Sequence, residues 1–299
     1  MHLRSRLDLA SRCMAMALAL VTVQAAAQSD ATPPDLAPDG EASAGTTTPA
    51  LWSAGLFMVG ADHAVYPGAE RRARNATALP FITYRGPVVR LEGGTAGVRT
   101  LRTPRAELDF SAAAAFGSDG KDTGAREGMP AVGTLVELGP SVRIQLGELG
   151  DDGRRSPWRL DLPLRAAFDA DRDFRYAGVS FEPRLNWRLP RLGDWRPSAY
   201  AGLMFGNRAL NSLYYDVAPE YATPTRPAYD ARGGLVASRL GVSLSRALGA
   251  DLRLGLHASM ETIKCAANRD SPVVGRSIDH TLAITLTWTA WRSDERGVE

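Results

Sequence analysis

The fold is decided by two neighbouring runs, Trp158–Phe168 (WRLDLPLRAAF) and Val179–Leu189 (VSFEPRLNWRL). In the first, Trp158, Leu160, Leu162, Leu164, Ala166 and Phe168 alternate with residues that include Arg159, Asp161 and Arg165. In the second, Val179, Phe181, Pro183, Leu185, Trp187 and Leu189 oppose Ser180, Glu182, Arg184, Asn186 and Arg188. Leu252, Leu254, Leu256, Ala258 and Met260 against Arg253, His257, Ser259 and Glu261 repeat the pattern, as do Leu282, Ile284, Leu286 and Trp288 against Thr285, Thr287 and Thr289. A side-chain period of two means β-strands. Strands of soluble sandwiches usually run about five or six residues. These run about ten or more, the length that crosses a bilayer when tilted. Charges sit in the middle of the polar face, where a membrane-spanning barrel has its lumen. Backbone amides inside lipid have no water to pair with, so such a sheet must close on itself. The pattern predicts an all-β, transmembrane, antiparallel up-and-down β-barrel.

Eleven runs carry the alternation: 51–62, 76–85, 87–103, 104–117, 134–147, 157–168, 175–189, 195–206, 232–247, 250–263 and 278–291. Single-chain bacterial barrels have an even number of strands. The third run carries Gly93-Gly94 at its middle, a turn signal. Splitting it there gives twelve strands, and a ten-stranded barrel remains open. With both ends in the periplasm, the long connections 118–133, 207–231 and 264–277 all face outward, while Leu189 to Trp195 becomes a short periplasmic turn. Trp52, Trp158, Trp187, Trp195 and Trp291 then fall at periplasmic strand ends, as an interfacial aromatic belt does.

The start of the chain sets the compartment. Arg4, Arg6 and Arg12 precede an apolar run from Cys13 to Val23, and Ala25-Ala26-Ala27 offers a cleavage site. That is the layout of a secretory leader over 1–27. Residues 28–50, rich in Ala, Pro, Thr, Gly and Asp, read as a flexible linker. The barrel is expected over 51–292, with a hydrophilic tail over 293–299. Cleavage removes three arginines and Asp8, which takes the net charge from +2 to zero. Nucleic-acid binding calls for a basic surplus, so no nucleic-acid partner is expected. Cys265 alone outlasts the leader, so no intrachain disulfide is expected.

Candidate residues fall into two sets beside the belt. Arg143, Arg159, Asp161, Arg165, Glu182, Arg184, Arg188, Arg253, His257 and Glu261, together with Glu137, are expected to face the lumen. Their mixed signs suit either a charged, open bore or salt-bridged packing that shuts it. The connection 207–231 carries Tyr214, Tyr215, Tyr221 and Tyr229 with Pro219, Pro224 and Pro227. Tyrosine buries a ring and keeps its hydroxyl wet. This loop is therefore expected to fold over the barrel mouth as a lid.

Catalytic and cofactor chemistry finds little support. His63, His257 and His280 lie on separate runs without zinc-site spacing. No phosphate-binding or dinucleotide fingerprint is present. His257-Ala258-Ser259 with Glu261 places a base, a hydroxyl and a carboxylate on one strand face, similar to the His-x-Ser pair of barrel lipid A deacylases. Alternation points all three inward, away from acyl chains, so a hydrolase is the remote alternative. Neither catalytic residues, cofactor nor metal is expected.

Five stretches resemble the MipA/OmpV family of outer-membrane proteins, in the family's order: Tyr66-Pro67-Gly68, Leu79–Arg85, Tyr214–Ala218, Pro227–Ala231 and Asp270–Val274. The resemblance implies an outer-membrane barrel of a Gram-negative bacterium, surrounded by outer-membrane lipid. One branch of the family bridges a lytic transglycosylase and a peptidoglycan synthase, which implies a non-enzymatic envelope scaffold; another is tied to adhesion. A porin-like channel or an adhesin is the alternative function. Many family members end on an aromatic residue, whereas here Trp291 is followed by Arg292 to Glu299.

Overall fold

The computed structural model describes residues 50–85, 89–92, 95–98, 103, 105–115, 124–147 and 158–297. The expected leader, the linker up to residue 49 and the Gly93-Gly94 turn lie outside the described residues. The strands are β1 (Trp52–Ala64), β2 (Arg72–Arg85), β3 (Val89–Glu92), β4 (Thr95–Val98), β5 (Ala106–Ala115), β6 (Leu135–Leu146) and β7 (Trp158–Asp169). They continue with β8 in two parts (Arg175–Phe181 and Arg184–Arg188), β9 (Arg196–Gly206), β10 (Gly234–Ala247), β11 (Leu252–Thr262) and β12 (Ile278–Arg292). Each strand pairs antiparallel with the next, and β12 pairs with β1, from Ser53↔Arg292 to Asp62↔Leu282. The sheet is a closed up-and-down barrel, so no strand order other than the chain order occurs.

The two parts of β8 are one strand. Phe181 faces Leu164 of β7 and Arg184 faces Asp161, a single unbroken register. The interruption falls where Pro183 lacks an N–H and Glu182 lies across from Pro163, whose carbonyl accepts from the Glu182 N–H at 3.2 Å. Counted this way the barrel has twelve strands.

Its distribution of side chains is the reverse of a soluble protein's. Leu240 (56% exposed), Val242, Leu282 and Ile284 point out, while Asp109, Glu137, Asp161, Asn186, Ser243 and His257 are buried. Ordinary globular surfaces scatter single apolar residues; a continuous apolar outer wall around a polar interior belongs to a barrel in lipid. One stretch of inner wall differs. Phe57, Val59 and Phe81, inward on β1 and β2, form a small buried apolar cluster.

A second, larger apolar core lies at the end opposite the chain termini, built from the connections together with the strand ends beneath them, among them Leu135, Ala167, Met204 and Val236. It gathers Val65, Tyr66, Val132, Leu210, Tyr214, Tyr215, Val217, Ile263 and Val273. The described parts of the three long connections therefore meet at one mouth, joined there by the short turn after β1. Within this cap the segment Arg208–Tyr215 forms a helix, α1, not seen in the sequence pattern. Asn207 caps it: its side-chain oxygen accepts from Leu210 N–H at 3.0 Å.

At the opposite end the tail does not hang free. Ser293 N–H donates to Trp52 O at 3.0 Å, Leu51 N–H donates to Glu295 O at 2.8 Å, and Ala50 bridges Arg296. The β12–β1 pairing thus runs on past the last strand.

Candidate functional site

A connected set of ion pairs lines the lumen along β6 to β11. Alternation along β6 to β11 directs Glu137, Arg165, Glu182, Arg184, Arg239 and Glu261 inward, and adjacent registers bring them level. Glu182 is the hub. Its carboxylate accepts from Arg184 Nη2 at 2.8 Å and from Arg239 Nη1 at 3.0 Å, with Arg165 Nη1 at 3.8 Å. Arg239 also donates through Nε to Glu261 at 2.6 Å. Arg165 lies 3.8 Å from Glu137, whose other partner is the Ser180 hydroxyl at 2.7 Å. Both arginines beside Glu182 flank Gly202 of β9, the residue in register with Arg184 on one side and Arg239 on the other.

A second cluster lies towards the end that carries the chain termini. Arg159 donates to Asp161 at 2.9 Å, and Asn186 Nδ2 donates to the same carboxylate at 2.8 Å. Arg143 pairs with Asp109 at 3.0 Å. Arg188 and Arg253 stand nearer the end that carries the chain termini, with Arg188 exposed. Of the lumen candidates named from sequence, Arg165, Glu182, Arg184 and Glu261 thus share one network with Glu137, and Arg159 with Asp161 a second.

Arg239 was not among the candidates, although Ala237, Arg239, Gly241 and Ser243 alternate inward like the residues that were. The same rule applied to β10 would have found it.

His257 takes part in packing. Its ring stacks on Tyr200 at 6.0 Å between centroids, and the Arg184 guanidinium lies over the Tyr200 ring at 4.5 Å. The hydroxyl beside His257 Nδ1, at 3.2 Å, is that of Ser243 on β10. Gly241 makes the stack possible, since a Cβ there would stand 2.2 Å from the Tyr200 ring. His257 is buried on the inner wall. Nucleophilic chemistry needs a hydroxyl that substrate can reach beside its base; this pair faces packed side chains.

One cavity lies between the ion pairs and the cap. The cavity lined by His63, Tyr66, Tyr200, Tyr214, Arg239 and Glu261 measures about 50 Å³, room for one or two waters at ~30 Å³ each. Tyr214 and Tyr215 are buried in the cap. Tyr215 Oη donates to Pro67 O at 2.9 Å, and Tyr66 Oη donates to Val273 O at 2.7 Å. Two arginines staple the segments together: Arg126 donates to Tyr214 O at 2.9 Å, and Arg226 to Ala125 O and Glu127 O at 3.0 and 2.8 Å. Burial holds the Tyr215 hydroxyl well above its ordinary pKa, helped by the charge of Glu261. Tyr221 and Tyr229 pack against the rim of this core.

The end that carries the chain termini presents indoles on β12 and β1 and on β7 and β8. Trp52, Trp158, Trp187 and Trp291 are exposed there, and Trp158 stacks on Trp187 at 4.8 Å. Trp288 adds an exposed indole that the sequence pattern had placed among ordinary apolar positions. Trp195 differs: it is half-buried in the turn before β9, with the Arg246 guanidinium 5.9 Å from its ring.

Among the described residues no group of three or more His, Cys, Asp or Glu is arranged to hold a metal. No curated protein matches the chain. Among solved structures it is similar to a bacterial polysaccharide outer membrane secretin, at 11% identity over 81% of this chain and 98% of that one, TM-score 0.34. It is similar also to the COG4313 outer membrane channel from Pseudomonas putida F1, at 13% identity over 83% and 100% of the two chains, TM-score 0.40. The family described as MltA-interacting protein MipA matches residues 56–290, from the middle of β1 to the end of β12. The chain belongs to the MipA family.

Proposed function

We propose that this protein is a non-conducting, non-enzymatic outer-membrane barrel that serves as an envelope scaffold. The observation that carries the closed bore is the Glu182 hub, because three arginines drawn from β7, β8 and β10 converge on one carboxylate inside the lumen. Charges packed and paired in this way offer a passing solute no free partner, which supports a shut bore. The cap above, tied by arginine–carbonyl and tyrosine–carbonyl hydrogen bonds, supports the same reading. The scaffold role rests on the family's description as a protein that interacts with the lytic transglycosylase MltA. A partner of that kind works on the periplasmic side, where the tail, the indole ring and the short turns stand.

Two measurements test this. Purified protein in planar bilayers should show no single-channel steps; regular steps would replace the scaffold with a porin-like channel. Immobilised protein should retain a membrane-bound lytic transglycosylase from its own envelope extract, and failure to retain any would remove the scaffold role while leaving the closed barrel intact.

A further inference from the structure

A groove of about 600 Å³ runs over the outward face of β10, β11, β12 and β1. Val242, Leu256, Leu282 and Ile284 form its sides. Ala258 sits in register between Val242 and Leu282, and Gly60 beside Ile284, so small residues set a depression among large ones. The volume lies within the ~300–1,000 Å³ of pockets that hold small molecules. On the apolar outside of a barrel, such a space fits the chain of a lipid.

The groove ends in charge. Asp62, in register with Leu282, accepts from Arg72 Nε at 2.6 Å and from Arg74 Nε at 2.8 Å. Beyond that one bond the Arg74 side chain is 86% exposed. Ten residues separate Asp62 from Trp52 on the same outward face of β1. At ~3.3 Å per residue and a tilt of ~40°, that is ~25 Å of height, the whole of the apolar band. Asp62 and Arg74 therefore stand where the band ends.

A second pair of cations stands further out on the same wall. Thr262 and Ile278 are the last paired residues of the β11–β12 hairpin, and Lys264 and Arg276 follow two residues on. Arg276 is six residues beyond Leu282, on the order of 15 Å at the same tilt. Lys264 and Arg276 are both exposed, and among the described residues no side chain pairs with either. His280, exposed on β12, lies between the two levels. Glu70 packs beside Gly275 and offsets part of the charge. Even so, Arg71, Arg72, Arg74, Lys264 and Arg276 outnumber Asp62, Glu70 and Asp279 on this side of the rim.

We propose that this face binds a phosphorylated glycolipid of the outer leaflet. One acyl chain lies in the groove, a phosphate at the base of the saccharide head meets Arg74, and a phosphate further along the head meets Lys264 and Arg276. Guanidinium and ammonium groups hold phosphate oxygens through charge-assisted hydrogen bonds. A phosphoglycerolipid carries its phosphate at one level and would leave the outer pair unused. The assignment rests on the outer-membrane placement proposed above, with the chain termini in the periplasm, and not on the scaffold role.

The test titrates the full-length protein in detergent and counts bound lipid by native mass spectrometry. The probes are lipopolysaccharide truncated after its phosphorylated inner core, lipid A without that core, and phosphatidylglycerol. Saturable binding is expected, tightest for the truncated lipopolysaccharide and weakest for phosphatidylglycerol. Lys264→Gln with Arg276→Gln, at the rim and clear of the wall, should weaken binding of the truncated lipopolysaccharide about tenfold and leave lipid A unchanged. Ala258→Phe, which fills the groove, should weaken both, whereas Leu164→Phe, outward on β7, should weaken neither. Equal binding of phosphatidylglycerol, or affinity unmoved by the double variant or by Ala258→Phe, would overturn the glycolipid site and leave the barrel standing. Absence of the protein from outer-membrane fractions would overturn the placement, and the site with it.

Discussion

Glu182 shows how much one side chain can hold. Removing its charge leaves Arg165, Arg184 and Arg239 close together on the inner wall with one carboxylate fewer among them. Breaking one partner out of a buried ion cluster costs ~3–5 kcal/mol. Glu182→Gln should therefore lower the temperature at which the heat-modifiable barrel unfolds on gels, and Glu182→Ala should lower it further, while Arg188→Gln, at the exposed mouth, should move it little. Gly241→Leu should act through sterics, because any Cβ there strikes the Tyr200 ring; overpacking of this kind costs ~1–3 kcal/mol. At this scale the sequence tells which residues face in but not which meet. Alternation marks Arg165, Glu182 and Glu261, yet the meeting of Glu182 with Arg239 depends on the registers of three strands, and register carries no signature in a run of alternating residues.

Among the elements, the cap helix is the one that pattern reading missed. Asn207 followed by Leu210, Leu213 and Tyr214 is a cap and an apolar face at helical spacing, but eight residues make too weak a signal beside three prolines downstream. Its seat is on Gly178, where φ is +141° and a Cβ would stand 2.4 Å from Leu210 N. Gly178→Val should therefore loosen the cap and expose 207–233 to protease without dissolving the barrel. Asn207→Ala should loosen it less, by ~1 kcal/mol. Tyr215 gives the cap a pH limit. Its pKa is raised, so folding favours the neutral hydroxyl; that contribution is whole below the ordinary value of ~10 and fades as pH climbs through the folded one. Protease nicking of the cap should begin only at strongly alkaline pH in the native protein. Tyr215→Phe, which cannot ionise, should shift that onset upward while costing ~1 kcal/mol at neutral pH through the lost bond to Pro67.

For the whole molecule, the barrel and its twelve strands were legible because the period of two persists over runs of ten or more, and because an even count forces the 87–103 run to divide at its glycines. The shortness of the resulting hairpin was equally present in the residue count, but a strand tally treats a four-residue strand and a fourteen-residue strand alike. What could not be read was the tail. A hydrophilic end after Trp291 looks superfluous until its hydrogen bonds to Leu51 and Trp52 are seen. That pairing bears on how the molecule assembles. β1 and β12 are brought together across nearly the whole chain, so their union is the contact of greatest sequence separation and the slowest to find by diffusion. A short zipper outside the bilayer, where water can satisfy unpaired amides while the register is searched, gives that union a nucleus before any lipid-buried pair must form. Deleting 293–299 should slow the appearance of the compact, heat-modifiable band several-fold in a vesicle-refolding time course, with little change in its final yield. The tail would then be an instrument of kinetics, spent once per molecule, at the moment the cylinder shuts.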